Sequence, residues 1–156
     1  MISNSFNENE NGYNEHNLNN INKKNKFDKF DKNDLFRACE NNEIIKVRNL
    51  LHSGIDINST TDLGNTALYI SAKSKNKSLV EYLIEKGANI NHQNNKGMTS
   101  LHIAALYGYV DIVMLLVKNN ANTNLECNKK LIPLNYALMF RTDSHNLITQ
   151  LLINKT

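Results

Sequence analysis

Apolar residues recur in the second half of the chain with the spacing of short amphipathic helices. From Ser100 to Tyr107, and again from Asp111 to Lys118, they follow the three-to-four-residue period of a helix face rather than the alternation of a strand. Each run is only about two turns long, and helices of that length are not stable alone in water. The pattern therefore predicts pairs of short helices that bury their apolar faces against neighbouring pairs.

The same pattern returns at an offset of 33 residues, which indicates an internal repeat. Residues 62–95 match the segment that begins at Lys96 in the pairs Gly64/Gly97, Thr66/Thr99, Leu68/Leu101, Ala72/Ala105, Val80/Val113, Leu83/Leu116, Ala88/Ala121 and Asn91/Asn124. An earlier copy is in register from Leu35 to Asn58. A degenerate fourth copy follows Leu131, and in it Ile148 and Leu151 match after a two-residue insertion. A repeat of this period predicts a solenoid.

Two motifs give the repeat a family resemblance. Gly97 to Ala105 reads G-x-T-x-L-H-x-A-A and Gly87 to Asn91 reads G-A-N-x-N, and with them the chain resembles the ankyrin repeat over about residues 34–156. The resemblance implies an all-α ankyrin-repeat solenoid of stacked helix-turn-helix units with β-turn or hairpin fingers. It divides the chain into a tail, residues 1–33, and a repeat domain, residues 34–156. The repeats span approximately 29–61, 62–94, 95–127 and 128–156.

The ends of the second helices carry their own signal. Gly54 and Gly87 stand where the chain needs a left-handed residue to leave a helix, and Asn120, the next-best residue for that conformation, holds the place in the third copy. Lys130 stands where the other copies have Gly64 and Gly97, and Ile132 stands where they have threonine. The sequence therefore leaves the turn of the fourth copy undecided.

Residues 1–33 contain 11 Asn and few aliphatic residues, so they cannot bury enough surface to offset chain entropy and are expected to be disordered. Two interpretations of the Asn tract stay open: codon drift, or a tail that assembles or binds a partner. Phe27 and Phe30 favour a short capping helix over residues 27–33, with a free linear motif as the alternative. Lys23, Lys24 and Lys26 fit solvated charge better than a nuclear-import signal.

Charge and cysteine usage restrict the class of partner and the compartment. The net charge of +3 is too small to indicate nucleic acid. No apolar run approaches the roughly 18 residues of a membrane helix, and the N-terminus lacks a secretory pattern. Cys39 replaces a repeat alanine and Cys127 falls on a predicted turn, so no disulfide is expected and the cytoplasm or another intracellular compartment fits best.

The composition also bears on the source of the partner. Asn, Lys and Ile dominate while Arg occurs three times, a bias typical of an adenine- and thymine-rich genome such as that of a protist, an intracellular bacterium or a large DNA virus. In the last two cases the partner would be a host protein in the host cytoplasm.

The titratable residues do not form a catalytic or metal-binding pattern. The histidines are scattered, and only His102 is aligned with the repeat, where the resemblance implies that it and a threonine hydroxyl tie the turn to the first helix. Tyr69 and Asn135 replace it in the neighbouring copies, which argues against a shared chemical duty. We therefore expect no enzyme activity, no cofactor and no metal site.

The resemblance implies that a partner binds across the first helices and the tips of the fingers. Carried over by register, the hypothesis assigns partner binding to Asp62, Leu63, Asn65, Lys73, Lys96, Met98, Leu106, Tyr107, Lys129, Met139 and Phe140. Leu106, Tyr107, Met139 and Phe140 stand out because four apolar side chains on a surface commonly mark an interaction site. The alternative is that the irregular fourth repeat turns Met139 and Phe140 into the core.

Three functions remain open from the sequence. The favoured one is a non-enzymatic protein-interaction module that binds an unidentified protein, as a monomer. The second is a self-associating structural or regulatory subunit that uses the apolar end formed by Leu147, Ile148, Leu151 and Leu152. An enzyme or a nucleic-acid binder is the least favoured.

Overall fold

A computed structural model of the protein describes residues 30–155 and contains eight α-helices in that range. In chain order they are α1 (Lys32–Glu40), α2 (Ile44–His52), α3 (Ala67–Lys73), α4 (Lys77–Glu85), α5 (Ser100–Leu106), α6 (Val110–Lys118), α7 (Pro133–Leu138) and α8 (Asp143–Ile153). The two helices that the apolar spacing predicts are α5 and α6, and their observed ends lie within one residue of the predicted ones.

The helices form two layers, and each repeat contributes one helix to each layer. The first helices α1, α3, α5 and α7 pack side by side, and each also packs against the second helix of its own repeat, α2, α4, α6 or α8. The second helices contact one another less closely than the first helices do. Fully buried aliphatic residues recur every 33 residues in this core, as Leu35, Leu68 and Leu101 on the first helices and Val47, Val80 and Val113 on the second. The predicted solenoid of stacked helix-turn-helix units is confirmed.

Threonine fixes the start of the first helices because its hydroxyl can accept a backbone hydrogen bond there. Thr66 accepts from the N–H of Tyr69, and Thr99 accepts from the N–H of His102, both at 3.3 Å. The second helices end at a left-handed residue, with φ of 96° at Gly54, 85° at Gly87 and 62° at Asn120. The role expected for Asn120 is confirmed.

The turn of the fourth repeat keeps the geometry of the others despite its sequence. Lys130 adopts φ 61°, which is the left-handed conformation of Gly64 and Gly97. The Cys127 N–H donates to the Leu131 carbonyl at 2.9 Å, as the Asn94 N–H donates to the Met98 carbonyl at 3.0 Å in the repeat before. The question that the sequence leaves open is therefore answered in favour of a regular turn, held with a lysine in a conformation that favours glycine.

The last helix departs from the register that the sequence indicates. Ile148 and Leu152 are fully buried, whereas Leu151 is only half-buried and Leu147 is exposed. The expected match of Leu151 to the repeat leucine is therefore wrong, and Leu152 fills that place, because the insertion before α8 is one residue longer than the sequence comparison suggests. Of the apolar end expected at the C-terminus, half is core.

The N-terminal boundary lies slightly earlier than residue 34. Asp31 caps α1 by accepting from the N–H groups of Asn33 and Asp34, and the Asp34 carboxylate accepts from the Asp31 N–H in return. Phe30 is exposed and lies outside the helix. The predictions for residues 1–29, among them the disordered tail, Phe27 and the lysines at 23, 24 and 26, fall outside the described residues. Within residues 30–155, no helix combines the length and the apolar character that crossing a bilayer requires.

Candidate binding surface

The fingers between repeats are joined to one another by backbone hydrogen bonds. The Asn95 N–H donates to the Leu63 carbonyl at 3.1 Å, and one repeat later the Asn128 N–H donates to the Lys96 carbonyl at 3.0 Å. The side-chain amides of the same two asparagines donate to the carbonyls of Asp62 and Asn95, each at 2.9 Å. The ladder uses backbone groups of Asp62, Leu63 and Lys96, so their exposed side chains are held on a fixed frame.

Glycine is required in this ladder because adjacent fingers approach closely. A Cβ added at Gly64 would lie 2.8 Å from the backbone nitrogen of Asn95, and one at Gly97 would lie 2.8 Å from the backbone nitrogen of Asn128. Both glycines also adopt positive φ, 75° and 71°. The repeated glycine of the sequence thus permits both the turn and the contact between fingers.

The structure places four of the predicted binding residues around one cleft. Asp62, Leu63 and Asn65 on the first described finger face Lys73 at the end of α3, and they enclose a cleft of about 570 Å³. We call it the Lys73 cleft. Glu40 and Tyr69 complete its lining, and no ion pair joins Glu40, Asp62 and Lys73. These charged groups therefore remain available to a ligand.

Four further predicted residues line a second cleft one repeat along. Lys96, Met98, Leu106 and Lys129 surround a volume of about 450 Å³ together with Cys127, Asn128 and Tyr136. We call it the Lys96 cleft. It carries two exposed lysines over a partly apolar floor, and neither lysine forms an ion pair in the described part of the chain. An acidic and partly apolar segment would match this lining.

Met98 differs from its expected position at an exposed finger tip. Only 9% of its surface is accessible, and its N–H donates to the Asn94 side chain at 3.0 Å. The side chain therefore packs into the floor of the Lys96 cleft rather than projecting from the finger, because the residue directly precedes the buried cap Thr99. Leu106 is likewise half-buried and packs against the core.

Tyr107, Met139 and Phe140 form the exposed part of the predicted apolar set, which with Leu106 we call the Tyr107–Phe140 patch. Their accessible fractions are 47%, 54% and 45%. The alternative in which Met139 and Phe140 enter the core is therefore wrong, because α7 ends at Leu138 and the chain turns outward before α8. Leu138, which the sequence did not single out, is also exposed.

Aromatic contacts hold the patch in place. The Tyr107 ring stacks on Tyr109 at 5.5 Å between centroids, and the Lys75 ammonium lies 5.4 Å from the centroid of the same Tyr109 ring. The Phe140 ring lies 4.9 Å from the ring of His145. His145 in turn reaches the second repeat-end loop, with Nε2 3.1 Å from the Leu106 carbonyl oxygen. The two aromatic side chains are therefore oriented before any partner arrives.

His145 is the residue of this surface that sequence reasoning missed. Its Nδ1 lies 2.7 Å from the hydroxyl of Thr142, which also accepts from the His145 N–H. Thr99 and His102 make the same arrangement at the start of α5. The T-x-x-H spacing of residues 142–145 was a usable signal, but the insertion removes it from the 33-residue register.

The structural role expected for His102 is confirmed by its contacts. The side chain is fully buried, its Nδ1 accepts from the Thr99 N–H at 3.1 Å, and its Nε2 donates to the Leu131 carbonyl at 3.1 Å. Burial lowers the pKa of the imidazole, against the opposing effect of backbone hydrogen bonds. A neutral ring with both nitrogens engaged is a fastening between repeats rather than a general base.

The two cysteines differ in their surroundings. Burial raises the pKa of Cys39 to about 11, consistent with a small apolar core residue at an alanine position. Burial also opposes ionisation of Cys127, but hydrogen bonds, first that with Tyr136 at 3.4 Å, hold the pKa of this thiol below its usual range. Both thiols are free. Among the described residues no group of His, Cys, Asp or Glu is arranged to hold a metal ion.

The comparison with known proteins agrees with the architecture. The family model described as "Ankyrin repeats (3 copies)" matches the chain three times, over residues 9–94, 35–127 and 86–156. A search of curated proteins finds no match for the chain.

Proposed function

This chain belongs to the ankyrin repeat family, and we propose on that premise that it is a protein-binding module whose partner binds across the fingers and the first helices. Ankyrin repeats are generally protein-protein interaction modules without enzyme activity. The finer assignment made here is of the surface: the Lys73 cleft, the Lys96 cleft and the Tyr107–Phe140 patch.

The observation that carries the proposal is the exposure of the Tyr107–Phe140 patch. Tyr107, Met139 and Phe140 are each about half accessible, although the fold gains nothing from apolar side chains there. Exposed apolar patches on soluble domains commonly mark interaction sites, and aromatic residues dominate binding energy at such sites. Rings already fixed by Tyr109 and His145 lose little conformational freedom on binding.

The charges around the clefts support a partner with an acidic segment. Lys73, Lys96 and Lys129 are exposed and form no ion pair within the described residues. Such rim charges steer a partner and fix its register more than they add affinity. A partner that inserts apolar side chains at the patch and lays carboxylates beside these lysines fits the surface best.

The two free cysteines support a reducing compartment, so we place the protein and its partner inside a cell. If the source is a virus or an intracellular bacterium, the partner is a host protein. No cofactor enters this function.

The test is partner capture with a Tyr107→Ala/Phe140→Ala double variant from an extract of the native cell. A matched control is Ile45→Ala/Leu147→Ala, because both residues are exposed and apolar but lie outside the proposed surface. We expect the test variant to capture at least about tenfold less partner while its thermal stability stays close to that of the control. Equal capture by the two stably folded variants would reject the surface, and a sharp stability loss in the test variant alone would assign the aromatic residues to the core.

A further inference from the structure

The outer face of α6 carries an exposed apolar centre between two opposite charges. Asp111, Met114 and Lys118 are exposed and Leu115 is half-buried, so these four residues form one stripe along the helix. Met114 is 54% accessible. The stripe shares no residue with the partner-binding surface proposed above, so it presents a separate question.

The equivalent positions in the other repeats show that the fold does not need Met114. Arg48 and Glu81 stand 66 and 33 residues earlier, at the same place on α2 and α4. A solvated outer helix ordinarily carries polar residues on such a face. The third repeat alone places a methionine there, and methionine is frequent at adaptable binding surfaces because its side chain is flexible and polarizable.

A groove lies beside this stripe because the second helices are packed less closely than the first. Met114, Leu115 and Val117 of α6 and Leu151 of α8 form its apolar lining, and its volume is about 550 Å³. Lys77, Glu81 and Lys155 lie at its margins together with Asp111 and Lys118. The half-buried Leu151, displaced from the core register, contributes to this groove instead.

The charges flanking Met114 are arranged symmetrically. Asp111 and Lys118 are seven residues apart, so their midpoint falls between Met114 and Leu115, and each charge lies about one turn, or about 5 Å, from that point. Neither residue forms an ion pair in the described part of the chain. The Asp111 carboxylate accepts from the neighbouring Ile112 N–H at 2.9 Å.

We infer that α6 is the contact of a homodimer, in which the α6 helices of two copies pack antiparallel across a two-fold axis between Met114 and Leu115. In that arrangement Met114 meets the partner copy's groove, and the Asp111 of each copy lies opposite the Lys118 of the other. The symmetry makes both ion pairs form at once, as a closed isologous contact requires. A parallel arrangement would place like charges together.

This inference departs from the monomer expected from the sequence, and it uses a different surface from the apolar C-terminal end. The contact involves little more than one helix from each copy, so it belongs to the small and transient class of interfaces. The dimer closes at two copies, whereas stacking of one end of the solenoid on the other would continue into longer assemblies.

The experiment is sedimentation velocity on the full chain from about 1 µM to about 1 mM, the range in which small interfaces associate. The variants are Asp111→Lys and Lys118→Asp, singly, combined in one chain, and mixed as two singly substituted proteins. Each single reversal turns both symmetric contacts into like-charge contacts, so we expect about a tenfold weaker dimer. The double variant restores the pairs within one kind of chain. The equimolar mixture restores them between the two kinds, because one then carries only lysines and the other only aspartates at these positions.

Two further measurements keep the result interpretable. Met114→Gln introduces the polar character of the other repeats and is expected to weaken the dimer about tenfold, whereas the control Ile45→Gln, on the outer face of α2, leaves it unchanged. Melting temperatures of all variants show whether a reversal near a helix end has unfolded the chain. A wild-type chain that remains monomeric throughout the range overturns the inference, and so does self-association that the mixture of single variants does not restore. The first result with a captured foreign helix at the groove would assign it to another protein.

Discussion

The imidazole of His102 donates from Nε2 to the carbonyl oxygen of Leu131, 3.1 Å away in the next repeat. Its other nitrogen accepts from the Thr99 N–H at 3.1 Å, so the ring has to be neutral to make both bonds. A single side chain thereby caps α5 and fastens the third repeat to the fourth. Asn135 occupies the same place in the fourth repeat and accepts from the Ile132 N–H at 2.9 Å.

His102→Asn is expected to keep the cap but lose the bond between repeats. The pattern of Asn135 shows that an asparagine oxygen can accept the capping N–H. The Leu131 carbonyl would lose its partner, so we expect the free energy of unfolding at pH 7 to fall by about 1–3 kcal/mol. Urea denaturation followed by circular dichroism measures this difference.

The same variant isolates the effect of pH. Burial lowers the folded-state pKa of His102 below the ordinary 6.5, so below that value the unfolded chain binds more protons than the folded chain. Stability from this group is fully present above about pH 6.5 and is lost as the pH falls through the folded pKa. Between pH 7 and pH 5 the wild-type free energy of unfolding should therefore fall more than that of His102→Asn. Equal slopes would show that the imidazole is not held neutral.

Gly97→Ala tests the contact between fingers against backbone strain alone. The added Cβ would lie 2.8 Å from the Asn128 nitrogen, whereas at Gly87, with φ 85°, it would meet nothing within 4 Å. Gly87→Ala should cost about 1–2 kcal/mol from its left-handed conformation. Gly97→Ala should cost about 2–4 kcal/mol because the next finger must also shift. Chemical denaturation of both variants gives the comparison, and equal losses would contradict a tight finger ladder.

Lys130→Gly is expected to stabilise the chain by about 0.5–1 kcal/mol, because glycine adopts φ 61° without the steric penalty of a lysine. The ion pair that it removes, Lys130 to Glu126 at 3.4 Å, is exposed on both sides and contributes little. Lys129→Gly is the control, since this neighbour is not among the residues with positive φ and should lose stability instead. A lower melting temperature for Lys130→Gly than for the wild type would refute the strain at this turn.

Periodicity was sufficient to predict the architecture, because each repeat buries the same apolar positions against its neighbours. The helices α5 and α6, the left-handed Asn120 and the alanine-like Cys39 all follow from the 33-residue register. The register loses its power where a residue is inserted. There the sequence assigned the core position to Leu151, and the structure assigns it to Leu152.

The surface was less predictable because exposure depends on where each side chain points after the turns close. Met98 was expected at a finger tip and lies in the floor of the Lys96 cleft, while the outward turn after α7 leaves Met139 and Phe140 exposed. The role of His145 depends on a contact across 39 residues with the Leu106 carbonyl. No local pattern encodes a contact of that kind.

The most direct test of the central claim is site-specific photo-cross-linking from the Tyr107–Phe140 patch. Benzoylphenylalanine at position 140 replaces an exposed aromatic ring by a similar one, and the same residue at position 45 is the control on an equally accessible outer helix. The account predicts that a partner protein is cross-linked from position 140 and not from position 45, and that adding unlabelled wild-type chain competes the product away. Cross-linking of the partner from position 45 but not from position 140 would contradict it.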